Sequence, residues 1–293
     1  MTTFTDGMPK ENDVARLWGH RHVLVGMLHL LPLPGAPKYD PQRGMRAVRD
    51  RARSEAEQLI RAGFDGFIVE NGWDIPFVKP DDVGHETSAA LAVIVADLKR
   101  EFPRVPVGIN CLANAVGVSI AVAAAAGGAF VRANQWANAY VANEGFVEGQ
   151  AGRVSRYRHA IGADAVTVWA DVKVKLGAHA ITADRSLPEQ ARDIAWFDAD
   201  ALIVTGSRLG DPPSDEDLKT VWETTTLPVV VGSGVRVDNL REIFRYADAV
   251  IVGSSIKQNG VWHQPMDEAA LRAMTTERDR IAETDAAAAK LKE

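Results

Sequence analysis

Eight short apolar runs, each rich in β-branched residues and each followed by a segment of helical length, constrain this chain more than any other feature. The runs occupy 23–30, 66–71, 105–112, 129–135, 165–172 and 201–206, then stretches opening at Pro228 and Ala247. Strands buried on both faces read as near-continuous apolar runs, and strands alternating with helices build parallel sheets. An open doubly wound sheet would be satisfied by six strands. Eight is the count of a (β/α)8 TIM barrel, so the expected fold class is α/β, a barrel of the ribulose-phosphate-binding kind. A chain of 293 residues is within the range of such a barrel. With no linker or shift in composition, a single domain is expected over 1–293, with an N-terminal extension at 1–22 and a helical tail at 266–293.

The segments between the runs read as follows. Helical spacing is present at 45–62, ending at Gly63, and at about 86–100. Asn114 is placed to cap the alanine-rich helix that stops at Gly127-Gly128. A long loop follows the fourth run to about Gly149 and leads into a helix to Ile161. Further helices are expected at 187–196, at 214–224 with Ser214 as cap, and at 237–246, where Leu240, Ile243 and Phe244 form the apolar face.

The last two runs end in small-residue turns, Gly232-Ser233-Gly234 and Gly253-Ser254-Ser255. Glycine lets main-chain N–H groups approach a ligand closely, and barrels often hold phosphate after strands seven and eight. The two turns are read as a phosphate cradle. The net charge of −6 gives no general pull toward nucleic acid or anionic membrane, so an anion site must be local. One cysteine, Cys111, rules out an internal disulfide and is expected to be an inert buried thiol. The N-terminus lacks the pattern of a signal peptide, and no apolar run approaches the length of a membrane span. A cytoplasmic location is expected.

Reactive groups in a barrel project from the C-terminal ends of the strands. That rim carries His29, Glu70 and Asn71, Asn110 and Cys111, Arg132, Asn134 and Gln135, Asp171, Lys173 and Lys175, and Thr205 and Ser207. Each taken alone could be a paired structural group; the ring together favours a ligand site. Alternation puts Asp171, Lys173 and Lys175 on one face of the fifth run, and an Asp beside a Lys keeps the amine aimed. Asp171 and Lys173 are the first candidates for proton transfer or carbonyl polarisation, with a structural ion pair as the bland alternative, and Lys175 falls nearer the loop. His29 and Glu70 complete the candidate catalytic set, and Asn71, Asn110, Arg132, Asn134 and Thr205 the substrate-binding set. Sequence spacing gives none of the short-range patterns of a metal site, so neither a metal nor another cofactor is expected, although His29, Glu70 and Asp171 are the residue types that could ligate one. Trp136, Tyr140 and Phe146 in the long loop could serve as a lid over the mouth or simply pack that loop.

These motifs resemble the BtpA/SgcQ family. The resemblance rests on Val25-Gly-Met-Leu-His-Leu-Leu-Pro-Leu-Pro-Gly35, Val69-Glu-Asn71, Asn110, Arg132 with Asn134, Ala170-Asp-Val-Lys173, Val204-Thr-Gly206 and the two glycine turns, and it runs from about Val23 to Met266. One segment departs: a Lys-His-Ala is expected directly after the fifth strand, and here the histidine stands at 179. The resemblance implies a TIM barrel and two readings of function. One is an enzyme acting on a phosphorylated sugar or related small metabolite, since one branch of the family lies among sugar-uptake and phosphosugar genes. The other is a non-catalytic factor for photosystem I or another membrane complex, peripherally associated, which would need an exposed apolar patch; Trp73, Phe77 and Trp136 are the candidates. Barrels of this class often form homo-oligomers.

Overall fold

A computed structural model describes residues 10–290. Its centre is a closed barrel of eight parallel strands: β1 (Val23–His29), β2 (Gly66–Glu70), β3 (Val107–Asn110), β4 (Phe130–Ala133), β7 (Thr167–Asp171), β8 (Ala201–Val204), β9 (Val229–Val231) and β10 (Ala249–Val252), with β10 pairing back onto β1. The seam register, Val23 beside Ala249 through Gly26 beside Val252, removes both sheet edges. Side chains alternate between two apolar layers. Val25, Met27, Ile68, Phe130, Trp169, Ile203, Val230 and Ile251 fill the barrel interior. Their neighbours, such as Leu24, Phe67, Val131, Leu202 and Val250, pack outward against the helices.

The principal helices follow the expected order: α2 (Gly44–Ala62), α3 (His85–Glu101), α4 (Val116–Ala126), α5 (Ala151–Ala160), α6 (Leu187–Trp196), α7 (Asp215–Thr224), α8 (Leu240–Ile243) and α9 (Glu268–Lys290). Ser214 caps α7, accepting from the Asp217 amide at 3.0 Å. The tail helix α9 buries Leu271, Met274 and Ile281 as it packs on α2 and α8.

Three local readings are corrected. Asn114 does not cap α4: the cap position is Ala115, and the Asn114 side chain instead accepts from the Gln135 amide (2.9 Å) and donates to its carbonyl (3.0 Å), joining the loops after β3 and β4. The helix expected at 237–246 shrinks to one turn, because the Asn239 side chain accepts from the Arg236 amide and donates to the Gly234 carbonyl. Such local bonds compete with helix propagation. The long loop after β4 contains an antiparallel hairpin, β5 (Ala139–Ala142) and β6 (Gly145–Glu148), pinned to the loop after β7 by paired bonds between Val141 and Ala178.

The expected extension at 1–22 contains a short helix, α1 (Asp13–Trp18), and residues 1–9 lie outside the described ones. This helix closes the N-terminal end of the barrel. Asp13, 2% exposed, accepts from Thr167 Oγ1 at 2.8 Å and Trp169 Nε1 at 2.7 Å. Trp18 packs edge-on to Phe130, which stacks on Trp169 at 4.1 Å. No helix among the described residues is long and apolar enough to cross a membrane.

Candidate active site at the barrel mouth

A cavity of about 440 Å³ opens at the C-terminal end of the barrel. Its inner wall is polar: His29 ends β1, Glu70 ends β2, Asn110 ends β3, Arg132 and Asn134 come from β4 and just beyond it, and Lys175 from the loop after β7. Gly232, Ser233 and Gly234 after β9 and Gly253, Ser254 and Ser255 after β10 line the same hollow. The outer rim is apolar, formed by Ile75, Phe77, Tyr140, Leu176, Leu209 and Trp262.

The polar wall is held by a few strong contacts. Arg132, 5% exposed, sends Nη2 to Asp171 Oδ1 at 3.0 Å and to Oδ2 at 3.1 Å, and Asn134 donates to Oδ2 at 3.1 Å. Asp171 thus orients Arg132 and Asn134 from behind and does not line the cavity. Asn110 donates to Glu70 Oε2 at 2.6 Å, and His29 Nε2 lies 3.7 Å from Glu70 Oε1. Burial raises the Glu70 carboxyl above the usual range, opposed by the charges of Arg132 and Lys175 and the Asn110 bond. Burial, followed by the positive charges of Lys257, Lys175 and Arg132, lowers His29 to about 3, so its ring is neutral throughout the physiological range. Burial and then Arg132 lower Lys175 from 10.5 to about 8, with Asp171 and Glu70 acting in the other direction.

Buried polar atoms normally have partners, and those that lack them call for an explanation. His29 Nδ1, Asn110 Oδ1, Asn134 Oδ1, Ser233 Oγ and Glu144 Oε2 have no partner within the protein among the described residues, and all five residues line this one cavity. The two small-residue turns are sterically specialised. Gly234 has φ +67°, and a Cβ there would collide with the Asp211–Pro212 backbone. A Cβ on Gly232 would crowd Ile203 and Arg132. Ser255 Oγ donates to the Val235 carbonyl at 2.6 Å and so ties the two turns together.

Of the residues singled out from sequence, His29, Glu70, Asn110, Arg132, Asn134 and both turns meet at the cavity. Others stand apart. Lys173 is exposed and does not line it: the ladder of β7 ends at Asp171, and beyond that point alternation no longer governs direction. Lys175 lines the wall instead, its amide bonded to Thr205 Oγ1 at 3.1 Å. Thr205 shapes that loop, since its hydroxyl also donates to the Lys173 carbonyl. Asn71 is a brace, accepting from the Leu112 amide at 2.7 Å and donating to Asp74. Cys111 is buried, its thiol pushed up to about 12 by desolvation. His179 packs beside Tyr140 and contacts the Val174 carbonyl at 2.8 Å, outside the cavity.

The loop aromatics also divide. Tyr140 faces the cavity, Trp136 is 1% exposed and donates to the Phe197 carbonyl, and Phe146 is exposed. Trp73, Phe77 and Trp136 form no exposed patch: Trp73 packs against Trp262 at 5.4 Å and Phe77 turns to the cavity. Trp262, 5.4 Å edge-on from His29, was not singled out in the sequence. Its position after Gly260 carries no local pattern that would place it at the mouth.

A closed parallel (β/α)8 barrel with a cavity at its C-terminal mouth is the TIM-barrel architecture. The chain superposes on thiamine phosphate pyrophosphorylase from Pyrococcus furiosus with a TM-score of 0.52 at 14% identity, covering 92% of this chain and 99% of that one. It superposes on phosphoribosyl anthranilate isomerase from Thermus thermophilus with a TM-score of 0.52 at 14% identity, covering 88% and 100%. These likenesses define the fold. The chain belongs to the BtpA family, whose sequence profile matches residues 20–280. An uncharacterised mitochondrial protein of Caenorhabditis elegans is 36% identical, over 84% of this chain and 89% of its own. The photosystem I biogenesis protein BtpA of Synechocystis is 34% identical, over 87% of each.

Proposed function

We propose that this protein is an enzyme acting on a phosphorylated sugar or a related small phosphometabolite. The observation that carries the reading is the convergence of unpaired buried polar atoms of His29, Asn110, Asn134 and Ser233 on a single cavity. In this reading the phosphate sits against the turns at 232–234 and 253–255, with Ser233 Oγ as a donor. The sugar's hydroxyl or carbonyl end lies over Glu70, His29 and Lys175. Glu70, raised toward its protonated form, exchanges a proton with the ligand, and the neutral His29 beside it relays or orients that proton. Arg132 and Lys175 stabilise negative charge that develops on oxygen.

A thermal-shift panel of sugar phosphates with inorganic phosphate tests the binding step, and solvent-deuterium incorporation into the binding compounds tests proton transfer. Stabilisation by at least one phosphate ester, weakened in Ser233→Ala and lost in Gly234→Ala, is expected. A panel in which no phosphate ester and no inorganic phosphate shifts the melting temperature would sink the reading.

A second reading, an assembly role at a membrane complex, is favoured by the likeness to the Synechocystis photosystem I biogenesis protein and by the exposed apolar side chains around the mouth. Ile75 is 41%, Leu176 55% and Leu209 60% exposed. Affinity capture from membranes of an organism that has the complex, using Leu176→Ser/Leu209→Ser as the negative control, separates it from the first.

A further inference from the structure

Lys257 and Lys175 are both strongly desolvated, and they are treated in opposite ways. Lys257 is wholly buried and donates to Glu55 Oε2 at 2.6 Å; Arg51 holds the other oxygen at 3.0 Å. That amine is neutralised by geometry and unavailable. Among the described residues the Lys175 amine has no carboxylate within ion-pair distance, and it makes a long 3.4 Å approach to the Gly232 carbonyl. It lines the mouth cavity together with the glycine turn at 232–234 and with Glu70, whose charge acts on it.

We propose that Lys175 is a catalytic amine that forms a covalent imine with the carbonyl carbon of a sugar-phosphate aldehyde or ketone. This rests on the phosphometabolite reading and specifies its substrate class, a carbonyl compound in its open-chain form. The unprotonated amine adds to the carbonyl carbon, and its proton moves to the new alkoxide, giving a carbinolamine. The carboxyl of Glu70 protonates the departing hydroxyl, water leaves, and the nitrogen lone pair closes the C=N bond. The net change is amine, carbonyl and the Glu70 proton to protonated imine, water and the Glu70 carboxylate, with no oxidant or reductant. Glu70, now a carboxylate, is placed to remove a proton from the carbon next to the imine. The surroundings of the amine support this order: burial and then Arg132 disfavour the ammonium, while Asp171 and Glu70 favour it, leaving it near 8 beside a neutral His29.

The test incubates the full chain with dihydroxyacetone phosphate, and separately with ribose 5-phosphate, in the presence of sodium cyanoborohydride, which reduces any imine to a stable secondary amine. Intact mass and peptide mapping locate the adduct. A dominant adduct on the peptide bearing Lys175, absent in Lys175→Arg and Lys175→Met but retained in Lys173→Arg, is expected. Circular dichroism confirms that the variants are folded. The initial trapping rate should rise by about tenfold from pH 7 to pH 9, as the unprotonated fraction grows from about a tenth to about nine tenths. No adduct with either probe, or adducts spread equally over surface lysines and unchanged in Lys175→Arg, overturns the proposal. Failure of the phosphate cradle looks different. Dihydroxyacetone without phosphate would then be trapped at Lys175 as fast as its phosphate ester, and inorganic phosphate would not slow either.

Discussion

The two ends of the barrel are built from the same strands but finished in opposite ways. At the N-terminal end, a carboxylate that could have been reactive is fully engaged: Asp13 accepts from Thr167, Trp169 and Arg16, under the aromatic stack of Phe130 and Trp169. At the C-terminal end, Glu70 keeps one bond from Asn110, His29 and Lys175 are desolvated without strong partners, and polar atoms face into open space. A sealed end contributes stability. An end with unmatched polar groups gives up stability, and that deficit is the signature expected of a site awaiting a ligand.

The sharpest way to break this contrast is at Arg132. Asp171→Ala leaves a buried guanidinium without its carboxylate and should cost about 3–5 kcal/mol in urea unfolding, together with loss of ligand binding. A variant of unchanged stability would show that Arg132 finds another partner.

Lys175→Met should act in the other direction, stabilising the protein by up to about 3 kcal/mol at pH 7 while abolishing activity. A lysine with a lowered folded-state value binds its proton less readily than the unfolded chain does. Between about 8 and 10.5 the wild type therefore gains stability as pH rises, and the variant should lose that slope. Equal stability of the two proteins at pH 7 would mean that the amine is well solvated.

At the sealed end, Asp13→Ala should destabilise by about 2 kcal/mol, because Thr167 and Trp169 lose a buried acceptor, with ligand affinity untouched. An effect on affinity larger than on stability would mean that the ends are coupled. For His29, the folded value near 3 lies below the ordinary 6.5, so the unfolded state takes up a proton first as pH falls. Stability should drop by about 2 kcal/mol between pH 7 and pH 5, and this component should vanish in His29→Asn. Smallest in stability is Ser233→Ala, within about 0.5 kcal/mol of wild type, yet weakening phosphate binding by about threefold to tenfold.

How much of this was legible depended on the range of the interaction. Strand identity was readable because the residues that make β1 or β8 are consecutive, and the glycine turns because Gly234 needs a positive φ that local sequence advertises. The polar ring at strand ends followed from strand counting alone. What resisted were places where a distant bond overrides a local pattern. Asn114 looks like a helix cap but is claimed by the main chain of Gln135, and 237–246 looks like a helix until Asn239 turns back on Gly234. The choice between Lys173 and Lys175 was of the same kind. Alternation persists in the letters past Asp171, while the hydrogen-bonded ladder that gives alternation its meaning does not. Glu144 and Trp262 reach the cavity through a hairpin and a loop whose paths no periodicity encodes, and of the three loop aromatics named as lid candidates only Tyr140 lines it.

The helix under the barrel has a practical corollary. Lys10, at the start of the described chain, is anchored to Asp198 and Asp200 just before β8, and Asp285 near the end of α9 meets His22 just before β1. Both ends of the described chain therefore leave from the floor, opposite the mouth. A label attached near Lys10 or Asp285 would lie on the base, with the mouth cavity facing the other way.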